Sequence, residues 1–278
     1  MDIKKLVKKA INGDQTALEG IVASIQDNLY YLSLRMLANP ADAKDATQDI
    51  LIKVITNLSS FRFESQFNTW VYRIASNHLV YEKKAIKKDL GLTFNLFKAD
   101  LEQDLQEPIT LRDNPDYQVM LNELRISCTM AMLLCLNLSH RMAYILGDIL
   151  EMEHNEASAI LSISKDNFRK KLSRARTKVV QFTDKSCGLV SDEAKCSCDK
   201  KLSGAIKRNR INPTELNMAR KSSETHIEVK NVLNETKQAL KALTAHKSIS
   251  FYKCPTELGN IIELLVSDGA KKMTMNNI

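Results

Sequence analysis

The chain has 278 residues, with 40 Lys and Arg against 33 Asp and Glu and a formal charge of +7. That length supports one large domain or two to three small ones, and 8 Gly with 5 Pro are too few turn residues for an all-β fold. The positive charge favours an anionic partner. No run of about 20 apolar residues is available to span a bilayer, and MDIKKLVKKAINGDQ lacks the apolar core of a signal peptide. A cytoplasmic, all-α protein is expected, its six cysteines being thiols or metal ligands rather than disulfides.

Residues 1–87 read as helices with short connections. Leu18, Ile21, Val22, Ile25, Leu29, Leu32 and Met36 recur at helical spacing. Asn39 followed by Pro40 then predicts an N-cap and first helical position, with Asp42 placed to favour the helix dipole. Ala46, Ile50, Val54 and Leu58 form the apolar line of that second helix, and Asp42, Asp45, Gln48 and Asp49 fall on a different, acidic edge. The segment FRFESQFNTW, residues 61–70, concentrates three of the eight Phe and the single Trp among polar residues. A third helix follows with Trp70, Ile74 and His78 in line, ending in lysines. Trp70 is expected to anchor the core, whereas Phe61 and Phe63 suit either a core or a stacking surface.

From 88 to 117 the periodicity fades. Asp100, Glu102, Asp104, Glu107, Asp113 and Asp116, with Pro108 and Pro115 as breakers, predict a flexible acidic linker. Residues 118–182 become helical again, with Cys128 and Cys135 as small core thiols on one face.

The most specific local pattern is NEASAILSISKDNFRKKLSRARTKV. A short helix with Ala157, Ile160 and Leu161 is followed by a turn, and Ser164 is placed to cap a second helix whose Phe168 and Leu172 face inward. This is a helix-turn-helix layout. Lys165, Asn167, Arg169 and Lys170 could reach base edges or nearby phosphates, and Arg174 and Arg176 could grip the backbone.

Taken together, DAKDATQDILIKVITNLSSFRFESQFNTWVYRIASNHL and LSHRMAYILGDILEMEHNEASAILSISKDNFRKKLSRARTKV resemble regions two and four of bacterial RNA polymerase sigma factors, sigma-70 family, extracytoplasmic-function (group four) type. The resemblance covers most of residues 10–182. It implies a transcription initiation factor that binds core RNA polymerase and directs promoter recognition and melting. Asp45, Gln48 and Asp49 then match positions that grip the β′ clamp helices, and region four meets the β flap. Phe61, Arg62, Phe63 and the residues up to Asn68 match the loop that captures a flipped base of the minus-ten element, where stacking is worth about 1–3 kcal/mol per base. Arg73, Asn77, Lys83 and Lys84 fall on the helix that meets the promoter near the melting point. An anti-sigma factor is a further partner of such proteins, and the acidic linker would thread the polymerase cleft. In the helix-turn-helix, Ser158 and Ser162 stand where Ala and Gly are usual. The alternative is a stand-alone helix-turn-helix regulator whose N-terminal helices dimerise. No HExxH or Gly-rich phosphate loop is present to predict an enzyme.

Residues 183–278 form an extension expected to be mostly helical and regulatory in cis. THIEVKNVLNETKQALKALTAH lines up Val229, Val232, Thr236, Ala239, Leu240 and Leu243 as one helix, and PTELGNIIELLVSDG adds an amphipathic segment. No cofactor is required. Cys187, Cys196 and Cys198 either hold zinc or copper(I), with Cys254, His226 or His246 as fourth ligand, or are spectator thiols.

Overall fold

A computed structural model describes residues 3–81 and 91–255. The fold is all-α, with no strand among the described residues. The chain divides into two compact units: residues 1–88, 153–168 and 252–278 form the first, and residues 89–152 and 169–251 the second.

The first unit begins with α1 (Ile3–Ile11), α2 (Gln15–Leu37), α3 (Pro40–Thr56) and α4 (Phe67–Tyr81). Asp14 caps α2, its Oδ1 accepting from the Ala17 amide at 3.0 Å. Asn39 caps α3 as expected, accepting from Ala41 at 2.9 Å and Asp42 at 3.0 Å, with Pro40 in the first turn. Such caps satisfy amides that no helical carbonyl can reach, each worth about 1 kcal/mol. Ile21, Leu29, Leu32, Met36, Ile50, Leu51, Val54 and Leu58 are buried, so the 3.6-residue period read from the sequence is the core-facing stripe. The same unit includes α8 (His154–Ile160), which packs on α4.

The second unit is organised by α6 (Tyr117–Leu134). Around it lie α5 (Phe94–Leu101), α7 (Leu138–Tyr144) with a π-helical continuation to Ile149, α10 (Cys198–Lys207), α11 (Asn217–Arg220), α12 (His226–Glu235) and α13 (Gln238–Lys247). Helix α9 (Lys165–Ser186) begins in the first unit and continues into the second. Arg141 ends α6: its Nε donates to Leu133 O at 2.9 Å, and its Nη2 to Leu134 O at 3.0 Å and Leu136 O at 2.9 Å. One buried guanidinium thus serves the carbonyls that the helix terminus leaves over.

Two expectations are corrected here. The acidic stretch from 88 to 117 does not behave as a flexible linker over its described part. Thr93 caps α5, whose Phe97 and Leu101 are buried with Met132, Phe182 and Cys196. Asp100 near its end and the carboxylates beyond it are held by cations of the extension. Asp100 meets Lys201, Arg208 and Arg210, Arg208 Nη2 lies 2.5 Å from Asp104, and Arg220 lies 3.1 Å from Asp116. Asp104 packs so closely on α10 that a Cβ at Gly204 would stand 2.7 Å from it. Charge composition marked these residues as solvated, but their partners lie about a hundred positions away.

The extension's long helix is two helices. Thr236 takes extended geometry and its hydroxyl donates back to Val232 O at 2.7 Å, a side-chain bond that competes with helix continuation. The break buries Val229 and Leu233 on one side and Ala242, Ala245 and His246 on the other, leaving Val232 and Leu240 exposed. Nor is the extension a separate body. Leu202, Ala205, Ile211 and Leu216 form one core with Tyr117, Met120, Leu121 and Leu124 of α6. The amphipathic stretch within 256–278 lies outside the described residues.

Candidate nucleic-acid interface

In the first unit the loop before α4 is an aromatic cluster with a polar rim. Phe61 is buried, with ring centroids 4.8 Å from Phe63, 5.5 Å from Phe67 and 5.4 Å from Trp70. Phe67 and Trp70 stack at 5.8 Å. Phe61 therefore belongs to the core, and the expectation that it offers a face to a flipped base is corrected: three rings already cover it. Phe63, half-buried at a left-handed φ of 60°, is the outer ring of that cluster, with Lys8 Nζ 5.6 Å from its centroid. Arg62, Asn68 and Asn77 are exposed. Lys83 and Lys84 lie outside the described residues. On α3, Asp45 is exposed and Gln48 and Asp49 are half-buried.

Arg73 is engaged: its Nε and Nη2 both donate to Ala159 O of α8, at 3.2 and 2.8 Å. Beside it Thr69 Oγ1 lies 3.1 Å from Glu156 Oε1. A cleft of about 390 Å³ is lined by Ile3, Leu6, Ser24, Gln66, Phe67, Asn68 and Glu156. Neither Glu156 nor Ala159 carried a sequence signal for this, because the contacts join residues 86 and 87 positions apart.

The helix-turn-helix is formed by α8, its turn and α9. Ser164 Oγ accepts from the Asn167 amide at 3.2 Å, and Phe168 and Leu172 are buried as expected. Asn167, Arg169, Lys170 and Arg174 are exposed and Lys165 is half-buried. Arg176 differs from expectation. Its Nε and Nη2 grip the buried carboxylate of Asp148 at 3.0 and 2.5 Å, so the side chain fixes α9 within the second unit rather than standing ready for DNA backbone. The signal for it was a single acid in the apolar run AYILGDIL. The helix runs on to Ser186, and its Phe182 stacks on Phe97 at 5.6 Å.

Cys128, Cys187, Cys196 and Cys198 line one small cavity of about 30 Å³, roughly the space of one water molecule. The Gly188 amide donates to Cys196 O at 2.9 Å and closes the cysteine loop. Cys128, on α6, was expected as a small core thiol on one face with Cys135, not among the cysteines of the extension. Cys254 belongs to the first unit, its amide donating to Asp27 Oδ1 at 2.9 Å. Burial pushes all four cavity thiols up, Cys196 to about 12, and nearby thiols add to the shift of Cys128, Cys196 and Cys198. As the side chains stand, no group of three or more His, Cys, Asp or Glu among the described residues could hold a metal ion, so the cavity does not fit one in this arrangement.

Residues 21–87 match the family described as Sigma-70 region 2. The chain is 28% identical over 178 residues to the ECF RNA polymerase sigma-E factor of Escherichia coli (strain K12), covering 62% of this chain and 88% of that protein. In these stretches the chain is similar to extracytoplasmic-function sigma factors of the sigma-70 family. The chain is also 39% identical over 92 residues to the ECF RNA polymerase sigma factor SigW of Bacillus subtilis (strain 168), across 33% of its own length, and spans about half, 49%, of SigW. A solved structure of CnrH in complex with the cytosolic domain of CnrY matches 64% of this chain and 95% of that one, at 20% identity and a TM-score of 0.44. Among the described residues no helix is long and apolar enough to cross a membrane.

Proposed function

We propose that the chain is a transcription initiation factor, without catalytic activity of its own, that joins core RNA polymerase and directs promoter recognition and melting in the cytoplasm. The observation that carries this reading is the co-occurrence in one chain of a region-two segment and a capped basic helix-turn-helix. Asp45, Gln48 and Asp49 on α3 would contact the β′ clamp helices, and region four the β flap. Arg62, Phe63, Asn68, Arg73, Asn77, Lys83 and Lys84 would serve the minus-ten element. Lys165, Asn167, Arg169, Lys170 and Arg174 would serve the upstream duplex, through phosphates and base edges. An anti-sigma factor is the natural competitor for these surfaces.

The extension is read as a regulatory segment that acts through α6. A soft ion held by Cys187, Cys196 and Cys198 would require those thiols to turn together and shed protons that burial retains. Metal content of the Cys→Ser triple variant measures that part separately.

Run-off transcription with purified core polymerase tests the main reading: start-site choice should depend on the added chain. A stand-alone regulator would instead bind duplex promoter DNA unaided and leave start sites to another sigma factor.

A further inference from the structure

We propose that α8, the leading helix of the helix-turn-helix, is an internal occupant of the strand-binding face of α4 and stands there in place of nucleic acid. The inference rests on the initiation-factor reading and adds a regulation of its minus-ten site.

The chemistry of the contact supports it. A guanidinium fork with a neighbouring hydroxyl suits a phosphodiester, whose oxygens accept paired N–H donors. In the first unit this set is filled from α8. The Ala159 carbonyl takes both Arg73 donors at 3.2 and 2.8 Å, and the Glu156 carboxylate lies 3.1 Å from the Thr69 hydroxyl. The carbonyl belongs to the last turn of α8, at the negative end of the helix, and accepts from the Ser162 amide at 3.2 Å besides the two Arg73 donors. Glu156 also walls the cleft formed with Gln66, Phe67 and Asn68, beside the loop read as the base-capturing element. Burial raises the Tyr72 hydroxyl to about 12, and the charge of Glu156 adds to that shift.

An anionic side chain, a backbone carbonyl and a base-adjacent cleft thus meet on one face of α4. A single strand entering that face must displace α8, and with it the entry to the helix-turn-helix. The free chain is held off single-stranded DNA until the two elements part.

The test uses the full chain and a fluorescein-labelled single-stranded DNA of mixed sequence, without polymerase. Glu156→Gln should tighten binding roughly tenfold, the scale of one hydrogen bond to a charged group. Glu153→Gln removes the same charge from the exposed residue before α8 and should change affinity less than about twofold, the weak effect of a solvated charge. Hydrogen exchange across residues 154–160 should rise when the DNA is added to the unaltered chain. Equal effects of the two substitutions, no DNA binding by either variant, or unchanged protection of α8 at saturating DNA would each overturn the proposal. Run-off transcription in parallel separates the causes: normal core-dependent initiation with any of those results removes the mimicry alone, and failed initiation removes the functional reading beneath it.

Discussion

Arg176 holds both oxygens of Asp148, at 3.0 and 2.5 Å, while the carboxylate is only 5% exposed and the guanidinium 54%. The pair joins α9 to the π-helical segment after α7, and so sets where the basic helix lies within the second unit. Its loss would strand a carboxylate away from water. Arg176→Ala is expected to lower stability by about 2 kcal/mol, read by denaturant melting. Arg174→Ala should leave stability nearly unchanged and reduce the salt dependence of duplex binding by about one phosphate contact. Reversed outcomes would return Arg176 to the DNA-facing set.

Leu202 of the extension is fully buried against α6. Leu202→Ala should therefore destabilise the second unit by about 2–5 kcal/mol. The same core makes removal of residues 183–278 a folding defect, because it uncovers Met120, Leu121 and Leu124. A truncated chain that melts with the cooperativity and midpoint of the intact one would contradict this shared core.

Ser162 closes the turn between α8 and α9 with φ at 53°. A side chain in this left-handed region crowds its own carbonyl, and glycine does not. Ser162→Gly is expected to raise stability by about 0.5–1 kcal/mol, less the added entropy of the unfolded chain. Calorimetry would show the gain as a small rise in Tm; a fall would mean that the Ser162 side chain itself contributes to the turn.

His226 opens α12 and is buried, its Nε2 without a hydrogen-bond partner among the described residues. Burial lowers it from 6.5 to about 4, with Arg125 and Lys230 acting in the same direction and Asp199 against. Below about pH 6.5 the unfolded chain binds a proton that the folded chain refuses, so stability is full above that pH and falls toward pH 4. The slope should approach about 1.4 kcal/mol per pH unit between those limits. Melting curves at about pH 7 and about pH 5 should converge in His226→Leu relative to the unaltered chain; an unchanged difference would assign the acid sensitivity to other groups.

Some features of the second unit were legible as single odd residues. Asp148 interrupts an apolar run, and such an acid needs a cation; only the fold names Arg176 as that cation. Thr225 and Glu228 spell a capping box and form one. Asp100 and Asp104 gave the opposite impression. Their composition reads as a solvated tether, yet Lys201, Arg208 and Arg210 return from the extension to hold them.

The sequence alone determined the all-helical class, the caps at Asn39 and Ser164, and the inward line of Phe168 and Leu172. Each of these rests on bonds or periods within a few residues, which a linear pattern records. The engagement of Arg73 by α8, the burial of Phe61 under three rings, the gathering of Cys128 with the extension's cysteines and the sharing of one core by α6 and Leu202 were decided by tertiary structure. Most of these contacts join residues separated by tens of positions. Phe61 is the exception: its neighbours are close in sequence, but whether its ring faces them or solvent depends on how the loop closes onto α4.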